Sequence, residues 1–183
     1  MNNQNSNNNI AVFGNGCFWC TEAIFQKLKG VISVKPGYSG VTKPNPSYEE
    51  VCNGNTGHAE VIKIEYDPTQ IEYKVLLEVF FFTHDPTTLN RQGNDVGEQY
   101  RSVIFYASDD QKTEAEKFIG QLTSESVYSS PIVTELKPLD KFFEAEDYHR
   151  NYYERNKDKP YCQVIINPKL QKFKQHYSKL MKE

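Results

Sequence analysis

The chain is predicted to adopt an α+β fold of the ferredoxin-like kind, a βαββαβ two-layer sandwich with an extra C-terminal helix and long loops. Three observations predict it. Apolar runs of strand and helical period alternate in the order strand, helix, strand, strand, helix, strand between residues 10 and 106. Breakers fall between them, with Gly30 after the first helix and Asp67-Pro68 and Asp85-Pro86 flanking the second. No internal repeat or linker divides the chain, and 183 residues are enough for one domain with a proper core.

Each element has a local reason. Ile10-Ala-Val-Phe13 is a short apolar run closed by Gly14, a strand. Ala23, Ile24 and Leu28 recur at helical spacing, and Gly30 sits where a C-terminal cap belongs. Val31 to Val34 reads as the second strand, followed by a long loop punctuated by Pro36, Gly37, Gly40, Pro44 and Pro46. Ser47 to Glu50 carries the Ser-x-x-Glu capping pattern of a helical turn. From Glu60 to Tyr66 the residues alternate, with Glu60, Ile62, Ile64 and Tyr66 on one face and Val61, Lys63 and Glu65 on the other. Tyr73 to Thr83 carries Val75, Leu76, Val79 and Phe80 at helical spacing. Residues 84–98 have no period, and a loop of that length in a compact domain is usually functional. Arg101 to Tyr106 is a strand, Ser108 to Leu122 a polar amphipathic helix capped by Ser108, and Ile132 to Leu136 a final strand. Residues 142–156 are charged and Tyr-rich, with room for a short helix, and Pro168 to Leu180 closes the chain as a helix.

Composition narrows the function. Hydrophobic residues make up 38% and charged residues 25%, the balance of a folded globular chain. A net charge of −3 without a basic cluster excludes nucleic acid as a partner. There is no apolar run of bilayer length, so no membrane partner is expected. Residues 2–9 are polar and uncharged and lack the features of a secretory signal. We therefore expect residues 1–9 to be a disordered Asn-rich tail, residues 10–183 to be a single catalytic domain, and the protein to be a cytoplasmic monomer. Four cysteines (Cys17, Cys20, Cys52, Cys162) in a chain of this length read as reduced thiols rather than a disulfide scaffold.

The strongest chemical signal is Gly16-Cys17-Phe18-Trp19-Cys20-Thr21-Glu22, preceded by the turn Gly14-Asn15-Gly16. It places Cys17 at the first turn of a helix, where unpaired N–H groups and the positive end of the helix dipole favour a thiolate. The aromatics give the sulfur an apolar neighbour surface, and Cys20 is close enough to trap an oxidised Cys17. The pattern points to redox or nucleophilic sulfur chemistry on an apolar group. A zinc site would need a second pair of soft ligands, and Cys52 and Cys162 stand alone, so neither metal nor cofactor is expected. A general dithiol–disulfide oxidoreductase using Cys17 and Cys20 is the main alternative, although Phe18 and Trp19 would shield the sulfurs from a protein substrate.

Glu60 is the second clue. In phase with Ile62, Ile64 and Tyr66, it either faces the core, where lost solvation raises its pKa and makes it a general acid, or meets solvent at the strand end. Arg91-Gln92-Gly93-Asn94-Asp95 and Gln99-Tyr100-Arg101-Ser102 are dense in hydrogen-bonding groups. For Tyr100 and likewise Tyr48 ordinary packing is the commoner reading, and the four histidines read as structural.

These residues together resemble the A-type peptide-methionine sulfoxide reductases. The Gly-Cys-Phe-Trp signature is at Gly16–Trp19. It is followed in order by Gly37-Tyr38-Ser39-Gly40, Pro44-Asn45-Pro46-Ser47-Tyr48-x-x-Val51-Cys52, Gly57-His58-Ala59-Glu60, Tyr66-Asp67-Pro68 and His84-Asp85-Pro86. Arg91-Gln92-Gly93-Asn94-Asp95-x-Gly97-x-Gln99-Tyr100-Arg101-Ser102 and Ala145-Glu146-Asp147-Tyr148-His149 complete the series. The resemblance implies thiol-dependent reduction of methionine S-sulfoxide, free and in proteins. Cys17 would be the nucleophile, Phe18 and Trp19 the methyl pocket, Glu60 the acid, and Tyr48 and Tyr100 hydrogen-bond donors, with Asp95 shaping the site. A Cys17 sulfenic acid would condense to a disulfide that thioredoxin reduces. The chain departs from the commonest pattern in three places. Cys20 stands where Gly is common, Val41 stands where a second Gly often follows Gly40, and the Gly-rich, Cys-bearing tail of some members is replaced by Pro160-Tyr161-Cys162 and a helix. The resolving thiol is therefore Cys20, favoured by spacing, or Cys162, as in relatives that resolve from the tail. Cys52 is expected to be a buried structural thiol.

Overall fold

A computed structural model describes residues 9–41 and 43–183. The tail expected over residues 1–9 lies outside the described residues except for Asn9, whose carbonyl accepts the Tyr66 N–H. In chain order the main elements are β1 (Ile10–Asn15), α1 (Phe18–Phe25), β2 (Val31–Ser39), α2 (Tyr48–Cys52), β3 (Ala59–Tyr66) and α3 (Tyr73–Phe82). A small hairpin of β4 (Arg91–Gln92) and β5 (Asp95–Val96) precedes β6 (Ser102–Tyr106) and α4 (Asp109–Ser124). The chain closes with β7 (Glu135–Pro138), β8 (Phe143–Glu144), α5 (Tyr152–Arg155) and α6 (Asn167–Tyr177).

The main sheet runs β7-β6-β1-β3-β2-β8. Its inner four strands, β6-β1-β3-β2, pair antiparallel throughout, which is the split βαβ arrangement predicted from the order of elements. β7 adds parallel to β6 after the α4 crossover, and β8 adds antiparallel to β2. The β3 register sets Ile62 opposite Phe13 and Ile64 opposite Ala11, so the alternation read in the sequence becomes one continuous face. That face packs with Ile24, Leu28, Leu76 and Phe80 of α1 and α3 and the residues after them, and with Phe173 of α6. The opposite face carries a smaller cluster of Val12, Ala59, Val61, Val103 and Phe105, covered by Leu139 and Phe142.

Two strands differ from the sequence reading. β2 continues five residues past Val34, through Pro36, to Ser39. Pro36 is tolerated because its carbonyl, accepting from Ala145 N–H, faces the β8 side, where the ladder is only two residues long. The last predicted strand begins at Glu135 rather than Ile132. α4 forms as predicted, with the Ser108 hydroxyl accepting from Gln111 N–H. No helix among the described residues is long and apolar enough to cross a membrane.

Candidate active site

The site is built where β1 turns into α1. Gly16 sits at φ +104°, and a Cβ there would come within 2.8 Å of Gln92 Cγ, so the turn requires glycine on both counts. The Thr21 hydroxyl lies on both Asn15 Oδ1 and the Cys17 carbonyl, fixing the turn from inside the helix. Cys17 is the N-cap of α1, just outside the first turn where the sequence placed it, and its sulfur makes no capping bond.

Glu60 resolves the first open alternative. It is 1% exposed, and its Oε2 accepts the Phe18 N–H at 3.1 Å. The helix N-terminus is thus engaged by the Glu60 carboxyl. Burial pushes this carboxyl up to about 8; the Phe18 N–H opposes the shift and the charges of Asp95 and Cys20 reinforce it. A neutral carboxylic acid therefore stands next to the cysteine at neutral pH.

The two thiols do not behave as the helix-dipole argument expects. Burial pushes the Cys17 thiol well above its ordinary value; a hydrogen bond with Cys20 and the charges of Cys20 and Glu60 add to this, and only the Tyr161 hydroxyl pulls the other way. The Cys17 thiol pulls Cys20 down, against burial and with help from Lys169 and the Tyr161 hydroxyl. Cys20 is 4% exposed. The correction has a physical reason. The dipole acts on a sulfur that is out of water, and the Phe18 N–H at the helix start is already given to Glu60. The two thiols thus share one hydrogen bond and titrate as a coupled pair.

The aromatic walls come from distant segments. Tyr48 opens α2, where Ser47 and Glu50 form the predicted capping box, and its backbone N–H is held by Glu146 Oε2 at 3.1 Å. Its ring lies 6.4 Å from Phe18 and 4.6 Å from His149. Tyr100 ends a 3-10 turn just before β6. Burial raises the phenols of Tyr48 and Tyr100 far above their ordinary range and the Glu60 charge adds to both, so both are permanent donors beside that carboxyl. Phe18 is fully buried, whereas Trp19 is half-buried with its indole stacked on Tyr152 at 3.7 Å and 5°. Trp19 Nε1 donates to His149 Nδ1 at 2.9 Å. Burial lowers His149 to about 4, so the imidazole is neutral and can accept that bond. Asp95 lies on β5 and accepts from the Tyr161 hydroxyl at 3.0 Å.

Cys17, Phe18, Trp19, Cys20, Tyr48, Glu60, Asp95 and Tyr100 therefore gather around the N-terminus of α1. Cys162 is buried in a π-turn (Cys162–Ile166) leading into α6, and the charges acting on its thiol are those of Cys20 and Lys159. Cys52 corrects an expectation: it is exposed at the end of α2, not buried. Its place in a one-turn helix leaves the last residue outside the core. The sequence reading missed His149, Tyr152, Tyr161 and Glu22 as parts of the site. Glu22 and His149 stood inside recognised motifs and Tyr161 beside Cys162, but none carried a local signal of its partner.

The model of the family described as peptide methionine sulfoxide reductase matches residues 9–181. The chain belongs to this family. It is 56% identical over 168 residues to the peptide methionine sulfoxide reductase MsrA of Sulfolobus acidocaldarius, covering 92% of this chain and 94% of that protein. The reduced form of Mxr1 from Saccharomyces cerevisiae superposes with a TM-score of 0.77 at 35% identity, covering 84% of this chain and 88% of that one. Mxr1 in complex with Trx2 gives a TM-score of 0.53 at 25% identity, over 78% and 83% of the two chains. The chain is thus a thiol-dependent methionine sulfoxide reductase, and the general dithiol oxidoreductase is not favoured.

Proposed function

We propose that this reductase works through Cys17, with Glu60 as the acid. Sulfoxide sulfur becomes electrophilic when its oxygen is protonated. Glu60 gives its proton to that oxygen, with Tyr48 and Tyr100 donating hydrogen bonds to it. Phe18 and Trp19 hold the methyl group against the sulfur, and Asp95 shapes the floor. Cys17 attacks as methionine leaves, the oxygen transfers to Cys17 as a sulfenic acid, and the thiol proton replaces the one lost by Glu60. The observation that carries this reading is the buried Glu60 carboxyl bonded to the backbone N–H of Phe18, the residue after Cys17.

Cys20 then condenses with the sulfenic acid, releasing water and forming a Cys17–Cys20 disulfide. Spacing and the hydrogen bond between the Cys17 and Cys20 thiols support it over Cys162. Thioredoxin is the reductant we propose, in keeping with the complex solved for the yeast relative. The substrates are the S epimer of methionine sulfoxide, free and peptide-bound, and the protein acts as a cytoplasmic monomer.

The test is thiol counting with peptide mapping after one turnover of methionine S-sulfoxide without reductant. The reading expects two thiols lost in a Cys17–Cys20 bridge, and Cys20→Ser to leave a sulfenic acid. A Cys17–Cys162 bridge would move resolution to the C-terminal segment, and no thiol loss would remove Cys17 from the reaction.

A further inference from the structure

Tyr161 is used by none of the steps above, yet it lies against the reacting sulfurs. Its hydroxyl is 3.8 Å from Cys20 Sγ and donates to Asp95 Oδ2 at 3.0 Å. The ring is fixed edge-on against Trp19, with centroids 5.8 Å apart at 81°, while Tyr152 clamps the indole by stacking on it. Burial, with the charges of Cys17 and Cys20, holds this phenol far above its ordinary range, so it keeps its proton at neutral pH. A phenol has one proton to donate. In the resting protein the phenol donates that proton to Asp95 Oδ2, and the hydroxyl oxygen can accept the Cys20 S–H. A Cys20 thiolate cannot donate and is a strong acceptor.

We propose that Tyr161 is a further catalytic residue, in which the hydroxyl turns from Asp95 to the Cys20 sulfur and holds the thiolate that resolves the sulfenic acid. The proposal rests on the reading in which Cys20 is the resolving thiol. In the step, the Cys20 sulfur attacks the Cys17 sulfur, the S–S bond forms and the S–O bond breaks. The Cys20 sulfur is oxidised and the sulfenic sulfur reduced. The departing hydroxide leaves as water with the proton that Cys20 gave up, and the phenol keeps its own. The charged and titratable groups facing Cys20 are Cys17 at the start of α1, Glu60 on β3, Asp95 on β5, Tyr161 and Cys162 at the π-turn, and Lys169 on α6. Lys169 favours the thiolate and Asp95 opposes it.

The test is Tyr161→Phe with two readouts. Ultraviolet titration of the Cys20 thiolate in a Cys17→Ser background is expected to move up by about one pH unit. In a single turnover without reductant, bridge formation is expected to slow about tenfold, with sulfenic acid accumulating in a carbon-nucleophile trap, while methionine release falls less. Asp95→Asn should shift the titration downward, and by less in the Tyr161→Phe background than in its presence. Equal shifts in both backgrounds would mean simple charge repulsion and would overturn the proposal, as would a Tyr161→Phe bridge formed at the wild-type rate. If Tyr161→Phe loses its fold, 3-fluorotyrosine at position 161 decides: a Cys20 titration moved downward supports the role, because a more acidic phenol donates more strongly to a thiolate, and an unmoved titration overturns it. A Cys17–Cys162 bridge in the wild type would instead mark failure of the underlying reading.

Discussion

Glu60 on β3 and Glu22 within α1 are both 1% exposed, yet their surroundings suit them to different work. Burial raises both carboxyls, Glu60 to about 8 and Glu22 to about 7. Their surroundings differ. Glu60 receives one backbone N–H, from Phe18, and its charged neighbours are Asp95 and Cys20. Glu22 receives the backbone N–H groups of Asn151 and Tyr152, and Arg155 and Arg150 stand nearby. Glu22 thereby ties the start of α5 to α1 and sets Tyr152 on the indole of Trp19. Burial alone does not make a carboxyl an acid catalyst. In the proposed mechanism a setting without cations, opening on the reacting atoms, suits Glu60 to that task; a setting of N–H donors and guanidiniums makes Glu22 a latch.

The comparison breaks first at Glu60. Glu60→Gln should lower kcat/KM for methionine S-sulfoxide by about 100- to 10,000-fold at neutral pH, the range for loss of a general acid. The sign of the pH dependence follows from the raised carboxyl. The proton is present below about 8 and lost above it, so the wild-type rate should fall as pH rises through about 8 and the variant should lack that limb. A variant with the same limb would assign the titration to another group.

Glu22→Gln sharpens the contrast, because it should change stability more than chemistry. A carboxyl raised in the folded state disfavours folding progressively as pH climbs from its ordinary 4.5 through about 7. Urea unfolding across that window should therefore show a flatter stability profile in Glu22→Gln than in the wild type. The limb near 8 that the mechanism assigns to Glu60 should persist. Loss of that limb in Glu22→Gln would merge the two roles.

Tyr152→Ala removes what Glu22 positions. Aromatic stacking contributes about 0.5–1.5 kcal/mol, so KM should rise roughly two- to tenfold with kcat changed less. The smallest effect is expected from Ser47→Ala, which opens the capping box ahead of Tyr48 and should cost about 1 kcal/mol of stability in thermal unfolding. A collapse of kcat in that variant would mean that Tyr48 depends on its cap far more than the Glu146 contact to its backbone implies.

Much of this was legible in the sequence, because it depends on period and spacing. The period of two over Glu60–Tyr66 placed Glu60 on the face of Ile62 and Ile64, and the Ser-x-x-Glu pattern gave the cap ahead of Tyr48. The Cys-x-x-Cys spacing brought Cys17 and Cys20 together. What escaped depends on residues far apart in the chain or on burial depth. His149 meets Trp19 across 130 residues, and Tyr161 meets Cys20 across 141. The burial that raises the Cys17 thiol escaped because a helix N-terminus is visible in sequence, whereas its use by Glu60 is not. Cys52 was misplaced because a residue type that is usually buried sits at the open end of a one-turn helix.

The central claim is that Glu60 is a neutral carboxylic acid in the working enzyme. Infrared difference spectroscopy of the protonated carboxyl C=O stretch, wild type minus Glu60→Gln, reads it directly at about pH 7 and again at about pH 9.5, on either side of the raised value. A protonated-carboxyl band present at the lower pH and lost at the higher one is the predicted result. A carboxylate signal already complete at the lower pH would contradict the account.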